Sequence, residues 1–156
     1  MTNIARAREL IDEVRRAGVS DFCVCAGSRN SPLIAVLDNT ADVRLFSFVD
    51  ERSAAFFAIG RAKQSGRPAA VVTTSGTATA ELLPAAVEAF YSSIPIVLIT
   101  ADRPARFRGT GAPQCIDQER IFGVHAATSF EQWSRHAPLH LNIEFDEPLI
   151  DDDLRR

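Results

Sequence analysis

Asp21-Phe22-Cys23-Val24-Cys25-Ala26-Gly27 is a short, continuous apolar run closed by glycine, and its reading decides the fold. A strand with one wet face would alternate apolar and polar residues. This one does not, so it reads as a strand covered on both faces, as in a parallel sheet between two helix layers. Upstream, Ile4, Ala7, Leu10, Ile11, Val14 and Ala17 recur at three- and four-residue steps behind Thr2 as N-cap, with Gly18 as the stop, which predicts an amphipathic helix. Downstream, Gly27 to Pro32 is a turn whose last two residues, Ser31 and Pro32, suit N-cap and N1 of a helix running to about Asn39.

The pattern then repeats. VRLFSFV (43–49) reads as a strand, followed by a helix from Glu51 to about Gln64 capped by Asp50. PAAVVTT (68–74) is another apolar strand, ending in Ser75-Gly76-Thr77, and the helix after it is predicted to turn Ala80, Leu83, Ala86 and Val87 inward. IPIVLITA (94–101) is broken by Asp102-Arg103-Pro104, because proline ends a regular element. A short helix is expected from Gln114 to Phe122 and a final strand from Leu139 to Ile143. Strands and helices in this order predict an α/β fold: an open, mostly parallel sheet with helices on both faces. Residues 1–150 form the domain, and 151–156 are an acidic and basic tail or the start of a linker.

A chain of 156 residues, 46% hydrophobic and 24% charged, suits one globular domain. At this length a fold buries about 68–70% of the surface its unfolded chain exposes, so it needs no disulfide or structural metal. Seventeen basic against 20 acidic residues leave a net charge of −3, which argues against nucleic acid or an anionic membrane as partner. No apolar run approaches the ~20 residues of a membrane span, and the first residues do not read as a leader, so a cytoplasmic protein is expected. Cys23 and Cys25 read as buried reduced thiols, and His125, His136 and His140 lack the spacing of metal ligands.

In such sheets, ligands bind beyond the carboxyl ends of the strands. Gly76-Thr77, between a strand and a helix, can present backbone N–H groups to an acceptor, or Ser75 or Thr77 can simply cap the helix. Glu51 is either a first-turn acid beside a capping Asp50 or a carboxyl that shares a proton with a ring nitrogen of a flat ligand. Arg29 and Arg103 follow strands at the same edge, where they can grip substrate carboxylates or pair with Asp50 or Asp102. Arg106 and Arg108, in a Pro/Gly-rich loop, are expected to be solvated. No G-x-x-x-x-G-K-[ST] or G-x-G-x-x-G supports an ordinary nucleotide site.

GSRNSPL (27–33), FVDERSAAFFAIGRAKQSGRPAAVVTTSGTATAELLPAAVEA (48–89), LITADRPARFRGTGAPQCIDQ (98–118) and HLNIEFDEPL (140–149) together resemble the pyrimidine-binding (PYR) domain of thiamine-diphosphate-dependent enzymes, and most closely the carboligating synthases of menaquinone biosynthesis. The similarity runs from about Ile4 to Leu149. It implies that Glu51 is catalytic and hydrogen-bonds the aminopyrimidine ring of thiamine diphosphate, and that Ser75, Gly76 and Thr77 line the pyrimidine pocket. It further implies that Ser28, Arg29, Arg103 and Gln114 hold isochorismate while 2-oxoglutarate is decarboxylated. In that family the Mg²⁺ and diphosphate sit on a separate PP domain, whose glycine-aspartate-glycine segment has no match here, so the lone chain is expected to be inactive. A homodimer, or an assembly with a PP-domain chain, is the expected partnership. Ala54, Phe57 and Ala58 are its candidate apolar face.

Two departures stand out. Pro113 occupies a position where the family has asparagine, which removes one amide contact. Only nine residues separate Ser129 from Leu139, where the family carries a longer helical segment, so either Ala127 to Phe130 is not a strand or the last connection of the sheet differs. Two other readings keep the same fold: a small subunit of a 2-oxo acid decarboxylase, and a non-catalytic module that binds a small carboxylate or regulates a partner.

Overall fold

The structure, a computed structural model, describes residues 1–150, so the predicted tail at 151–156 lies outside the described residues. Five strands, β1 (Asp21–Cys25), β2 (Arg44–Phe48), β3 (Ala69–Thr73), β4 (Ile96–Asp102) and β5 (Leu139–Glu144), form one sheet in the order β2-β1-β3-β4-β5. Every neighbouring pair is parallel, with Phe22 opposite Ala70 and Val71 opposite Leu98 in the centre. β1, β3 and β4 are buried along their whole length, as the apolar runs require.

Alternation along each strand then makes two cores. Phe22, Val24, Val72, Val97 and Ile99 face helices α1 (Asn3–Arg16) and α2 (Ser31–Asp38). Cys23, Cys25, Val71, Ile96 and Leu98 face α3 (Glu51–Ser65) and α5 (Leu83–Tyr91). Both buried thiols are pushed up to about 12 by burial, which keeps them protonated and inert. Asp21, at the start of β1, is also buried. Burial alone would raise its carboxyl, but hydrogen bonds from Arg61 and Arg44 hold it below its usual range and tie α3 and β2 to β1.

The caps follow the sequence with one shift. The Thr2 hydroxyl accepts from the Ala5 N–H, and Asp50 accepts from the Ser53 N–H. At α2, by contrast, the N-cap is Asn30, not Ser31, and Pro32 is the second helical residue. Asn30 is fully buried and closes the preceding turn instead of the helix, accepting from the Gly27 N–H and donating to the Cys25 carbonyl.

Three further expectations are corrected. The helix after β3 is two pieces, α4 (Thr77–Ala80) and α5, because Pro84 in the first turn of α5 cannot continue a helix from before it. Leu82, Ala85, Ala86 and Ala89 are the buried residues, while Ala80, Leu83 and Val87 are only half-buried. Gln114 to Phe122 is not helical, since Gln114 adopts φ 55° and Gln118 turns inward; a single 3₁₀ turn follows at Gly123–His125. Ala54 and Ala58 are fully buried against their own sheet, leaving Phe57 exposed to 37% beside Phe46 and Phe48.

The last connection resolves the choice left by the sequence. Ala127 to Phe130 is not a strand; Ala127 alone makes a bridge to Leu139, and the chain then leaves the sheet. Trp133 inserts into the α1/α2 core in its place, its indole N–H donating to the Ala137 carbonyl at 2.6 Å. No helix among the described residues is long and apolar enough to cross a membrane.

His140, in β5, gives a pH prediction. Burial depresses its pKa to about 4, and its Nε2 lies 2.7 Å from Thr100 Oγ1. In the unfolded chain the ring takes up a proton near pH 6.5, whereas in the fold it resists until about pH 4. The unfolded state therefore binds more protons across that interval, and stability falls as pH drops from 6.5 to 4. Urea titrations at pH 7, 5.5 and 4.5 measure the loss, and His140→Gln is expected to flatten it.

Candidate functional site

Strand order reverses between β1 and β3, because the chain moves outward from β1 to β2 and then returns to the other side of β1. That switch point lies at the carboxyl ends of the strands, the place where ligands bind in such sheets, and the loops after β1 and β3 meet there. They meet closely: a Cβ added at Gly27 would lie 2.6 Å from Thr74 Cβ. Gly76, at φ 80°, takes a backbone conformation that side chains disfavour, and a Cβ there would lie 2.9 Å from Gln114 Cα. Glycine is required at both places.

Hydrogen bonds join three of the residues singled out in the sequence. Arg103 Nη1 donates to Ser75 Oγ at 3.0 Å, and Gln114 Nε2 reaches the Ser75 carbonyl at 3.5 Å. Ser75 is fully buried, while Thr77 and Gln114 are exposed. Arg29 and Arg103 share the walls of one pocket of about 510 Å³ with Arg106, Pro113 and Glu147. Arg29 is 7% exposed, donates to the Phe145 carbonyl at 3.0 Å and pairs with Glu147, and its Nε–H is buried without a partner. Neither predicted pairing with Asp50 or Asp102 forms through a guanidinium of Arg29 or Arg103. Ser28 is exposed, and its carbonyl accepts from Ser31.

Glu51 stands at the other side of the switch point, the first residue of α3. Asp50 is consumed by the cap, whereas the Glu51 carboxylate, half-buried, has no hydrogen-bond or ion-pair partner among the described residues. It is close enough to Cys25, at the end of β1, for its charge to add to the rise of that thiol. A carboxylate left unpaired beside a strand end and a helix N-terminus is available to a ligand.

Two residues that tie the strand ends together have no local signal in the sequence. Gln118 is fully buried; its Oε1 accepts from the Gly76 N–H at 3.0 Å, and its Nε2 donates to the Ala101 carbonyl and to Asn142 Oδ1. It thereby fixes the Ser75-Gly76-Thr77 turn to the ends of β4 and β5. Arg108, expected in solvent, instead bridges Asp102, Glu119 and Glu144. Arg106 does remain at the surface, paired with Asp146 at 2.7 Å.

Residues 5–121 match the family described as thiamine pyrophosphate enzyme, N-terminal TPP binding domain. The chain belongs to that family. Its curated relatives in the thiamine pyrophosphate enzymes include the 2-succinyl-5-enolpyruvyl-6-hydroxy-3-cyclohexene-1-carboxylate synthases of Bdellovibrio bacteriovorus, 48% identical over 97% of this chain and 31% of the relative, and of Geobacillus kaustophilus, 40% identical over 92% and 29%. The namesake from Myxococcus xanthus is 52% identical over 80% of this chain and 21% of its own length. The chain thus spans about a third or less of these relatives. The decarboxylase-subunit and non-catalytic readings gain nothing from them.

The residues present fit the pyrimidine end of thiamine pyrophosphate. An unpaired, half-buried Glu51 offers the acid, and the Ser75-Gly76-Thr77 turn offers a wall that Gln118 holds in place.

Proposed function

We propose that this chain is the PYR half of a thiamine-diphosphate-dependent carboligating synthase that decarboxylates 2-oxoglutarate and adds the remaining fragment to isochorismate, in the menaquinone pathway. The unpartnered Glu51 carboxylate is the observation that carries this reading. Thiamine diphosphate, when bound, supplies the electron sink that lets a 2-oxo acid lose CO₂. Glu51 holds a proton against a ring nitrogen of the aminopyrimidine, which requires an acid free of competing partners. Ser75, Gly76 and Thr77 border that ring.

Arg29 and Arg103 present two guanidinium groups to one pocket, which suits a substrate with more than one carboxylate. Ser28 and Gln114 flank it as further donors. Pro113 lines the same pocket and offers an apolar wall where an amide would otherwise bind the acceptor. Mg²⁺ and the diphosphate fall to a PP domain, so a complete site needs an assembly of this chain, as a homodimer or not, with PP-bearing partner chains. We place that assembly in the cytoplasm, where its two small acid substrates diffuse freely.

Calorimetry tests the division of labour. Thiamine diphosphate binds the chain alone weakly, and Mg²⁺ does not tighten it. Tight, Mg²⁺-dependent binding by the chain alone would contradict the proposal.

A further inference from the structure

The three arginines that line the pocket of about 510 Å³ are compensated to different degrees. Arg106 Nη2 meets both carboxylate oxygens of Asp146 at 2.7 Å. The Arg103 guanidinium donates to the uncharged Ser75 hydroxyl at 3.0 Å and has no ion-pair partner among the described residues. Arg29 stands between these two cases. Its Nη1 donates to the Phe145 carbonyl, its Nη2 meets a single oxygen of Glu147 at 3.2 Å, and its Nε–H is buried without a partner.

One edge of Arg29 is therefore half used. Nε and Nη2 form a side of the guanidinium that takes both oxygens of a carboxylate at once, and such two-point pairs are the stronger ones. Glu147 holds this edge through one oxygen only. Arg29 is 7% exposed and the Glu147 side chain 74%, so the cation is fixed and the anion is the partner free to leave. Departure alone strands a buried charge, which is costly. Exchange for a ligand carboxylate keeps Arg29 paired and gives its Nε–H an acceptor.

We propose that Glu147 competes with substrate for Arg29, and so reserves that guanidinium for a ligand whose other carboxylate is anchored on Arg103. The proposal rests on the assignment of Arg29 and Arg103 to substrate carboxylates. A single carboxylate settles on Arg103, which has no counter-charge to give up, and leaves Glu147 in place. A second carboxylate on the same molecule is then held at high local concentration beside Arg29, where its two-point contact displaces the one-point contact of Glu147.

Benzoate and benzene-1,3-dicarboxylate probe this on the 156-residue chain, with the assigned Arg29 Nε–H signal followed by NMR. In the wild type the dicarboxylate moves that signal downfield, as a new hydrogen bond requires, and benzoate does not. In Glu147→Gln both acids move it, and the dicarboxylate binds about fivefold more tightly or better. Asp146→Asn removes the same charge from the same pocket but leaves Glu147 on Arg29, so benzoate still leaves the signal where it was. Unchanged affinity in Glu147→Gln would overturn the competition. So would a benzoate shift of the Arg29 signal in the wild type or in Asp146→Asn, which would show that the cation is open to any carboxylate. An Arg29 signal that answers to neither acid in any of the three chains would overturn the substrate role of Arg29 as well.

Discussion

Glu51→Gln lowers turnover of the enzyme assembled from this chain and a PP-bearing partner by about 10²–10⁴-fold, the usual contribution of a positioned acid or base. The change removes one ionisable oxygen and keeps the size and hydrogen-bonding reach of the side chain. It costs the fold little, because Glu51 has no hydrogen bond to lose and the helix cap belongs to Asp50. The remaining effect on stability is the favourable placement of a charge at the N-terminus of α3, about 0.3–1 kcal/mol. Steady-state rates and thermal unfolding of the same preparation separate the two. A variant that melts normally and turns over at the wild-type rate would remove Glu51 from the chemistry.

The second large effect is on stability. Gln118→Ala strips partners from the Gly76 N–H, the Ala101 carbonyl and the Asn142 side chain, in a fully buried setting. Each buried group left unsatisfied costs about 1–3 kcal/mol, and rearrangement recovers part of that, so a loss of about 2–4 kcal/mol is expected. Urea unfolding measures it. Because Asn142 also accepts from the Thr100 hydroxyl and donates to Asp102, the damage reaches the ends of both β4 and β5. A loss below about 1 kcal/mol would mean that other groups, or water, close the gap.

How much of this was legible in the sequence depended on whether the cause was local. The buried strands were, because DFCVC, AAVVT and IVLITAD are apolar without alternation and need no partner to be read. So was the start of α3, where an aspartate cap and a first-turn glutamate act within four residues. Gln118 and Arg108 were not, since their partners lie 17 to 42 and 6 to 36 residues away and nothing near them marks the bond. The same cause misled the reading of 114–122, where the pattern suits a helix but an inward Gln118 wins. Asn30 shows the limit of capping rules, because its side chain closes the turn to Gly27 and Cys25 instead. The short path to β5 signalled a change without showing its form, which is one bridge at Ala127 and a tryptophan in the core.

Reconstitution tests the central claim most directly. The chain is mixed with a purified chain carrying the PP domain, thiamine diphosphate, Mg²⁺ and 2-oxoglutarate, and CO₂ release and product formation are followed with and without isochorismate. The account predicts carboligation only when both chains are present, and its loss in the Glu51→Gln mixture. Carboligation by this chain alone, or full turnover by the PP chain without it, would contradict the account.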